Sequence, residues 1–153
     1  MRIMTVDDEK FCREGLGDIL REEFPEAVIE EYDDGIPAWK AIMYDSQYDL
    51  VITDIRMVEM DGVELAGKIH ERFPEIQILF QSAESTGNIE QMGIQLERCL
   101  YKPLNTMQVM EKIEHLEELP PFEIKIKQLE EKETTTEQKL EKQKSFFSKL
   151  FQR

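Results

Sequence analysis

Short apolar runs alternate along this chain with stretches in which apolar residues return every three or four positions. Ile3-Met4-Thr5-Val6 is such a run, and Phe11, Gly15, Leu16, Ile19, Leu20 and Phe24 then recur at helical spacing. The first predicts a strand and the second a helix. A strand at Ala27-Val28-Ile29, a helix from about Ile36 to Tyr44, a strand at Leu50-Val51-Ile52-Thr53 and a helix opened near Asp61 follow, the last carrying Val63, Leu65, Ala66 and Ile69 until Pro74 closes it. Ile76 to Phe80 predicts a fourth strand, Asn88 to Leu96 a weak helix, Cys99-Leu100-Tyr101 a fifth strand and Asn105 to Leu119 a strong final helix. Five βα units imply a parallel sheet covered on both faces, because right-handed crossovers leave few other arrangements. The expected fold is therefore α/β: a flavodoxin-like doubly wound domain over residues 1–119, with strand order 2-1-3-4-5.

Pro120-Pro121 stops the final helix, since proline lacks the N–H and clashes with the preceding turn. Residues 120–153 then read as a linker and a basic amphipathic helical tail. Phe122, Ile126, Leu129, Glu133, Thr136, Leu140, Gln143, Phe147 and Leu150 fall at alternating four- and three-residue spacing, a heptad-like seam with three polar interruptions. Glu133 to Glu137 has the composition of a loosely ordered stretch. Thirty-four residues beyond Leu119 are too few to bury a core of their own, so no DNA-binding domain is expected there.

Composition narrows the function classes. A length of 153 residues fits one domain plus an extension, and no apolar run approaches the twenty residues of a spanning helix. Asp7, Asp8 and Glu9 come too early to leave room for a signal peptide, and Cys12 and Cys99 form no C-x-x-C pair, so a reduced, cytoplasmic setting is expected. The net charge of −14 is uneven: residues 1–119 hold 11 Lys+Arg against 27 Asp+Glu, and the remainder holds 8 against 6. So acidic a domain would repel a phosphate backbone, which argues against direct nucleic-acid binding.

In a doubly wound sheet the chemistry belongs at the carboxyl ends of the strands. Asp7 and Asp8 follow the first strand, Asp54 ends the third, Ser82 ends the fourth, and Lys102 with Pro103 follows the fifth. Carboxylates about 4 Å apart repel by roughly 4 kcal/mol per pair at an effective dielectric near 20, unless a cation neutralises them. Carboxylate oxygens, a backbone carbonyl and waters suit Mg2+, and Lys102 supplies a further positive charge. The set suggests phosphoryl transfer, with Asp54 as nucleophile, Asp7, Asp8 and Asp54 around the metal, and Ser82 and Lys102 on the remaining phosphoryl oxygens.

These residues resemble the receiver family of bacterial response regulators, through Val6-Asp7-Asp8-Glu9, Thr53-Asp54-Ile55-Arg56-Met57 leading to Met60-Asp61-Gly62, Ser82-Ala83 and Lys102-Pro103, over roughly residues 1–119. The resemblance implies that Asp54 accepts phosphate from a sensor histidine kinase or phosphotransfer protein, with the backbone carbonyl of Arg56 as a further metal ligand and Ser82 as the switch hydroxyl. It implies a signalling phosphoacceptor acting through protein contacts on an unidentified downstream protein, with at most self-phosphorylation and autodephosphorylation, rather than an enzyme. Val58 stands where the family has proline, and Cys99 where it has the inward-turning aromatic; Tyr101 is expected on the other side of the strand.

Two other functions fit parts of the pattern. A pseudo-receiver scaffold would not need Asp7, Asp8, Asp54, Ser82 and Lys102 intact, and a haloacid-dehalogenase-like phosphatase needs an acid where Arg56 stands. His70 and His115 read as solvated, and Cys12 and Cys99 as small buried hydrophobes. For the 122–153 tail, packing on its own domain, dimerisation, a partner protein and weak membrane-surface contact all remain open.

Overall fold

Strand side chains alternate between two faces, and that alternation divides the interior into two cores. The structure, a computed structural model, describes residues 1–125 and 127–150, with side chains described for 1–125 and 138–150. Strands β1 (Arg2–Val6), β2 (Val28–Tyr32), β3 (Leu50–Asp54), β4 (Gln77–Ser82) and β5 (Cys99–Tyr101) pair in parallel in the order β2-β1-β3-β4-β5. Between them run helices α1 (Lys10–Glu23), α2 (Gly35–Tyr44), α3 (Gly62–Arg72) and α4 (Thr86–Gln91), with α5 (Thr106–Glu114) and α6 (Lys127–Leu150) after β5. Met4, Val6, Val51, Ile78 and Phe80 face α2, α3 and α4, where they meet Ala38, Ile42, Leu65, Ile69 and Ile89. Ile3, Leu50, Ile52, Leu79 and Leu100 face α1 and α5, meeting Leu16, Leu20, Val109 and Ile113. Each of these large side chains contributes about 1.5–3 kcal/mol on burial.

Helix boundaries follow local chemistry. Asp61 caps α3 by accepting from the Glu64 N–H at 2.8 Å, and Asn105 caps α5 by accepting from the Gln108 N–H at 2.9 Å. The weak helix expected over 88–96 is instead the six-residue α4, capped by Ser85, followed by a 3₁₀ turn at Leu96–Arg98. Gly93, at φ +82°, turns the chain between them, a conformation that favours glycine. The single helix expected from Asn105 to Leu119 breaks at His115 into α5 and a 3₁₀ turn at Leu116–Glu118. Glu114, Glu117 and Glu118 put negative charge at the helix's negative end, which opposes its continuation. Strand β2 continues past Ile29 through Glu30, Glu31 and Tyr32. It is an edge strand, so polar side chains are tolerated there, and Arg2 and Arg21 pair with Glu30 at 2.8 Å and Glu31 at 2.6 Å.

The chain after α5 returns across the domain. Arg98, 3% exposed, donates to the carbonyls of Ile78 at 3.1 Å and Pro120 at 2.6 Å. Gln95 holds the next residues with both ends of its amide, donating to the Pro121 carbonyl at 3.0 Å and accepting from the Glu123 N–H at 3.1 Å. The Lys125 N–H donates to the Gly93 carbonyl at 3.0 Å. Phe122, the first position of the heptad-like pattern, is thus not part of a helical seam: its ring lies 6.3 Å from Phe80 and 4.9 Å from His70.

That contact corrects the solvated reading of His70, whose ring is covered and whose Nδ1 is buried without a hydrogen-bond partner among the described residues. Position 122 lies 52 residues away in sequence, so no local pattern pairs the two rings. His115 is exposed and 3.1 Å from Glu118. Cys99 is fully buried, with burial pushing its thiol up to about 12, while Cys12 is only half-buried. Tyr101 packs on the same core as Cys99, which corrects the expectation that it faces the other side; residues i and i+2 of a strand share a face. Helix α6 runs through Glu133 to Glu137, read from composition as loosely ordered. Ile126, Phe151 and Arg153, and the side chains of Leu129, Glu133 and Thr136, lie outside the described residues.

Candidate functional site: an acidic cluster at the sheet edge

Three carboxylates meet where β1 and β3 end. The register pairs Val6 with Thr53, so the next residues, Asp7 and Asp54, come side by side, and Asp8 begins the turn into α1. One oxygen from each of Asp7, Asp8 and Asp54 lies within 4.8 Å of the other two. Asp7 is fully buried, Asp54 half-buried and Asp8 exposed. From β5 comes Lys102, 13% exposed, whose Nζ lies 2.9 Å from Asp7 Oδ2 and 3.5 Å from Asp54 Oδ2.

The backbone fixes these groups. Asp7 Oδ1 accepts from the Glu9 N–H at 2.9 Å, and Arg13 Nη1 donates to the Asp7 carbonyl at 2.7 Å. Asp54 Oδ1 accepts from the Ile55 N–H at 2.9 Å, which leaves Oδ2 turned toward Lys102. Gly62 packs so closely on β3 that a Cβ there would lie 1.9 Å from the Asp54 carbonyl oxygen, a position only glycine can occupy. The loop before it is tied down by Asp34, whose carboxylate accepts from the backbone N–H groups of Glu59 at 3.1 Å and Met60 at 2.9 Å. Burial by itself disfavours the Asp34 charge, but these backbone donors outweigh it and hold the carboxyl below its ordinary range.

Electrostatics mark Asp54 as the strained member. Burial, and then the charge of Asp7, push its carboxyl up to about 6, against the pull of Lys102 and the Ile55 N–H. Burial also works against the Lys102 ammonium, but the hydrogen bond to Asp7 and the field of Asp54 prevail and its pKa is raised. One ammonium cannot balance three carboxylates. The unbalanced charge and all-oxygen donor set fit a hard divalent cation such as Mg2+.

Ser82 sits at the end of β4, 2% exposed, its Oγ accepting from the Glu84 N–H at 2.9 Å. Arg56 lies two residues beyond Asp54 with its guanidinium paired to Glu84, so the third-strand and fourth-strand loops are joined at the mouth of the site. Sequence reading thus anticipated the convergence of Asp7, Asp8, Asp54 and Lys102. It quoted Gly62 only within the Met60-Asp61-Gly62 motif and missed Arg13, Asp34 and Glu84, although Asp34-Gly35 at the end of β2 carried the signal of a structured turn. It also missed Gln81, fully buried beside Asp54 in the β3–β4 register, whose amide oxygen and nitrogen have no hydrogen-bond partner among the described residues.

The fold and the acidic cluster define the class: a doubly wound α/β domain with a candidate divalent-cation site at its strand ends. Residues 3–114 match the response regulator receiver domain family, and the chain belongs to that family. The chemotaxis protein CheY of Treponema pallidum is 31% identical over 116 residues, which is 73% of this chain and 79% of that protein. An uncharacterized transcriptional regulatory protein, YesN of Bacillus subtilis, is 30% identical over 118 residues, covering 75% of this chain and 32% of the relative. The sensor protein EvgS of Escherichia coli is 34% identical over 93 residues, covering 60% of this chain and 7% of its own length. The chain thus spans at most about a third of YesN and far less of EvgS. Among solved structures, the response regulator TrrA of Thermotoga maritima, crystallised with Mg2+ and a beryllium fluoride, is 32% identical with a TM-score of 0.65, covering 75% of this chain and 97% of that one.

Proposed function

We propose that Asp54 accepts a phosphoryl group from the phosphohistidine of a sensor histidine kinase or phosphotransfer protein, in the cytoplasm, and that the phosphorylated domain signals by protein contact. The observation that carries this reading is the gathering of Asp7, Asp8, Asp54 and Lys102 Nζ at one sheet edge. The Asp54 carboxylate attacks phosphorus in line; a P–O bond forms, the P–N bond to the imidazole breaks, and the departing ring nitrogen keeps the electron pair. Asp7, Asp8, Asp54 and the Arg56 carbonyl would hold Mg2+, which when bound would supply charge neutralisation for the phosphoryl oxygens. Lys102, now shared between Asp7 and Asp54, donates to one phosphoryl oxygen, and the Ser82 hydroxyl donates to another. The new group adds about −1.5 to −2 charges. Ser82 Oγ accepts from the Glu84 N–H, which leaves its O–H available for the phosphoryl group, and any movement of the hydroxyl toward that group pulls on the loop leading to α4.

Intact mass after incubation with acetyl phosphate and Mg2+ tests the reading. The parent should gain one phosphoryl group and Asp54→Asn none. Labelling of both, or of neither, would remove Asp54 from the role.

A further inference from the structure

We propose that the basic helical segment from Lys139 to Leu150 docks on the surface of an anionic lipid bilayer. Every residue from 138 to 150 is exposed, including Leu140 at 52%, Phe146 at 62%, Phe147 at 49% and Leu150 at 55%. Nothing in the receiver domain covers these side chains, so packing on the chain's own domain does not account for them.

Their placement on α6 points to a flat apolar surface edged with negative charge. At about 100° per residue, Leu140, Phe146, Phe147 and Leu150 fall within an arc of roughly 120°, which also holds Gln143 at its centre and, in the first turn of the segment, Lys139. Lys142 and Lys149 flank that arc on one side and Lys144 on the other, each about 100–120° from its centre, while Glu141, Ser145 and Ser148 occupy the far face. Lysines at the borders of an apolar stripe can lay their methylenes along it and reach outward to lipid phosphates. This is the distribution of a helix lying in the plane of a membrane interface. Among the described residues no helix is long and apolar enough to cross a membrane, so the helix lies on the surface rather than spanning it.

A second copy fits the same face less well. The heptad-like pattern is interrupted by Glu133 and Thr136 before this segment, and pairing two such stripes would bring their flanking lysines together. An anionic bilayer instead meets those lysines with opposite charge, to which each basic residue near the surface adds favourably. The acidic receiver, with 27 Asp+Glu in residues 1–119, is disfavoured at the same surface. Screening confines that repulsion to roughly 8 Å from the surface.

Vesicle flotation of the full chain tests the proposal, with phosphatidylglycerol-containing and pure phosphatidylcholine vesicles at low and high salt. Partitioning should be at least about tenfold stronger on the anionic vesicles and should fall with salt. Phe147→Glu with Leu150→Glu should abolish it, and Lys142→Gln with Lys149→Gln should reduce the preference for anionic lipid several-fold. All four side chains are exposed, so acetyl phosphate labelling of Asp54 should be unchanged in these variants. Equal partitioning on both vesicle types, or none on either, would overturn the proposal. So would a dimer in sedimentation equilibrium that the Phe147→Glu, Leu150→Glu pair dissociates while the parent ignores vesicles.

Discussion

Replacing Asp54 with asparagine should stabilise the metal-free protein at neutral pH, although it removes the residue on which the chemistry rests. The Asp54 carboxyl is raised from 3.8 to about 6, chiefly by burial and secondarily by Asp7. At about 1.4 kcal/mol per pKa unit, the folded state disfavours its ionised form by about 3 kcal/mol. The side chain is only 13% exposed, so solvent screening removes little of this. Asparagine can still accept from the Ile55 N–H, but it brings an amide nitrogen that must find a partner, which offsets about 1 kcal/mol. The expected net gain is about 2 kcal/mol, or roughly 5–10 °C in Tm for a domain of this size.

The sign follows from linkage. A carboxyl whose folded pKa lies above its unfolded value binds its proton more tightly in the fold. The parent is therefore favoured at low pH, loses this contribution as pH rises from about 4 to about 6, and is level above that. Thermal denaturation of both proteins in EDTA across that range isolates Asp54, because the other carboxylates are common to both. The variant should be about 1 kcal/mol the less stable near pH 4, the difference should change sign as pH rises and reach its full size above pH 6, and Mg2+ should narrow it by binding the carboxylate form. Equal stability at neutral pH, or a gap of constant size down to pH 4, would refute the reasoning.

Other perturbations have expected outcomes of their own. Lys102→Met leaves the fully buried Asp7 without its ammonium and should cost about 3 kcal/mol at neutral pH in EDTA by urea denaturation, less as pH falls through 6 and Asp54 takes up its proton; parent-like stability would rule the pairing unimportant. Gln81→Leu replaces a fully buried amide that has no partner among the described residues, and should raise stability by about 1–2 kcal/mol; a loss would mean that the amide is satisfied in solution. Phe122→Ala should cost about 2 kcal/mol by removing the ring between His70, Phe80 and Arg98 while leaving acetyl phosphate labelling of Asp54 intact; an unchanged urea midpoint would show that residues 120–125 do not hold to the domain.

Local pattern determined much of this protein. Apolar runs such as Leu50-Val51-Ile52 bury on both faces of a parallel sheet, and the helical spacing of Val63, Leu65, Ala66 and Ile69 leaves one side to cover it. Strand-end placement then located Asp7, Asp8, Asp54, Ser82 and Lys102, because an α/β sheet delivers its strand ends to one edge whatever the loops do. Only the tertiary structure decided how those groups share charge. Asp7 and Lys102 are 95 residues apart yet hydrogen-bonded at 2.9 Å, and the pKa of Asp54 depends on a burial that no local window reports. The same holds for Phe122 against His70, and for Asp34, which fixes a loop 25 and 26 residues further on. Periodicity is a property of neighbouring residues and survives in the bare sequence, whereas desolvation and long-range pairing belong to the packed arrangement and exist only once the chain has closed on itself.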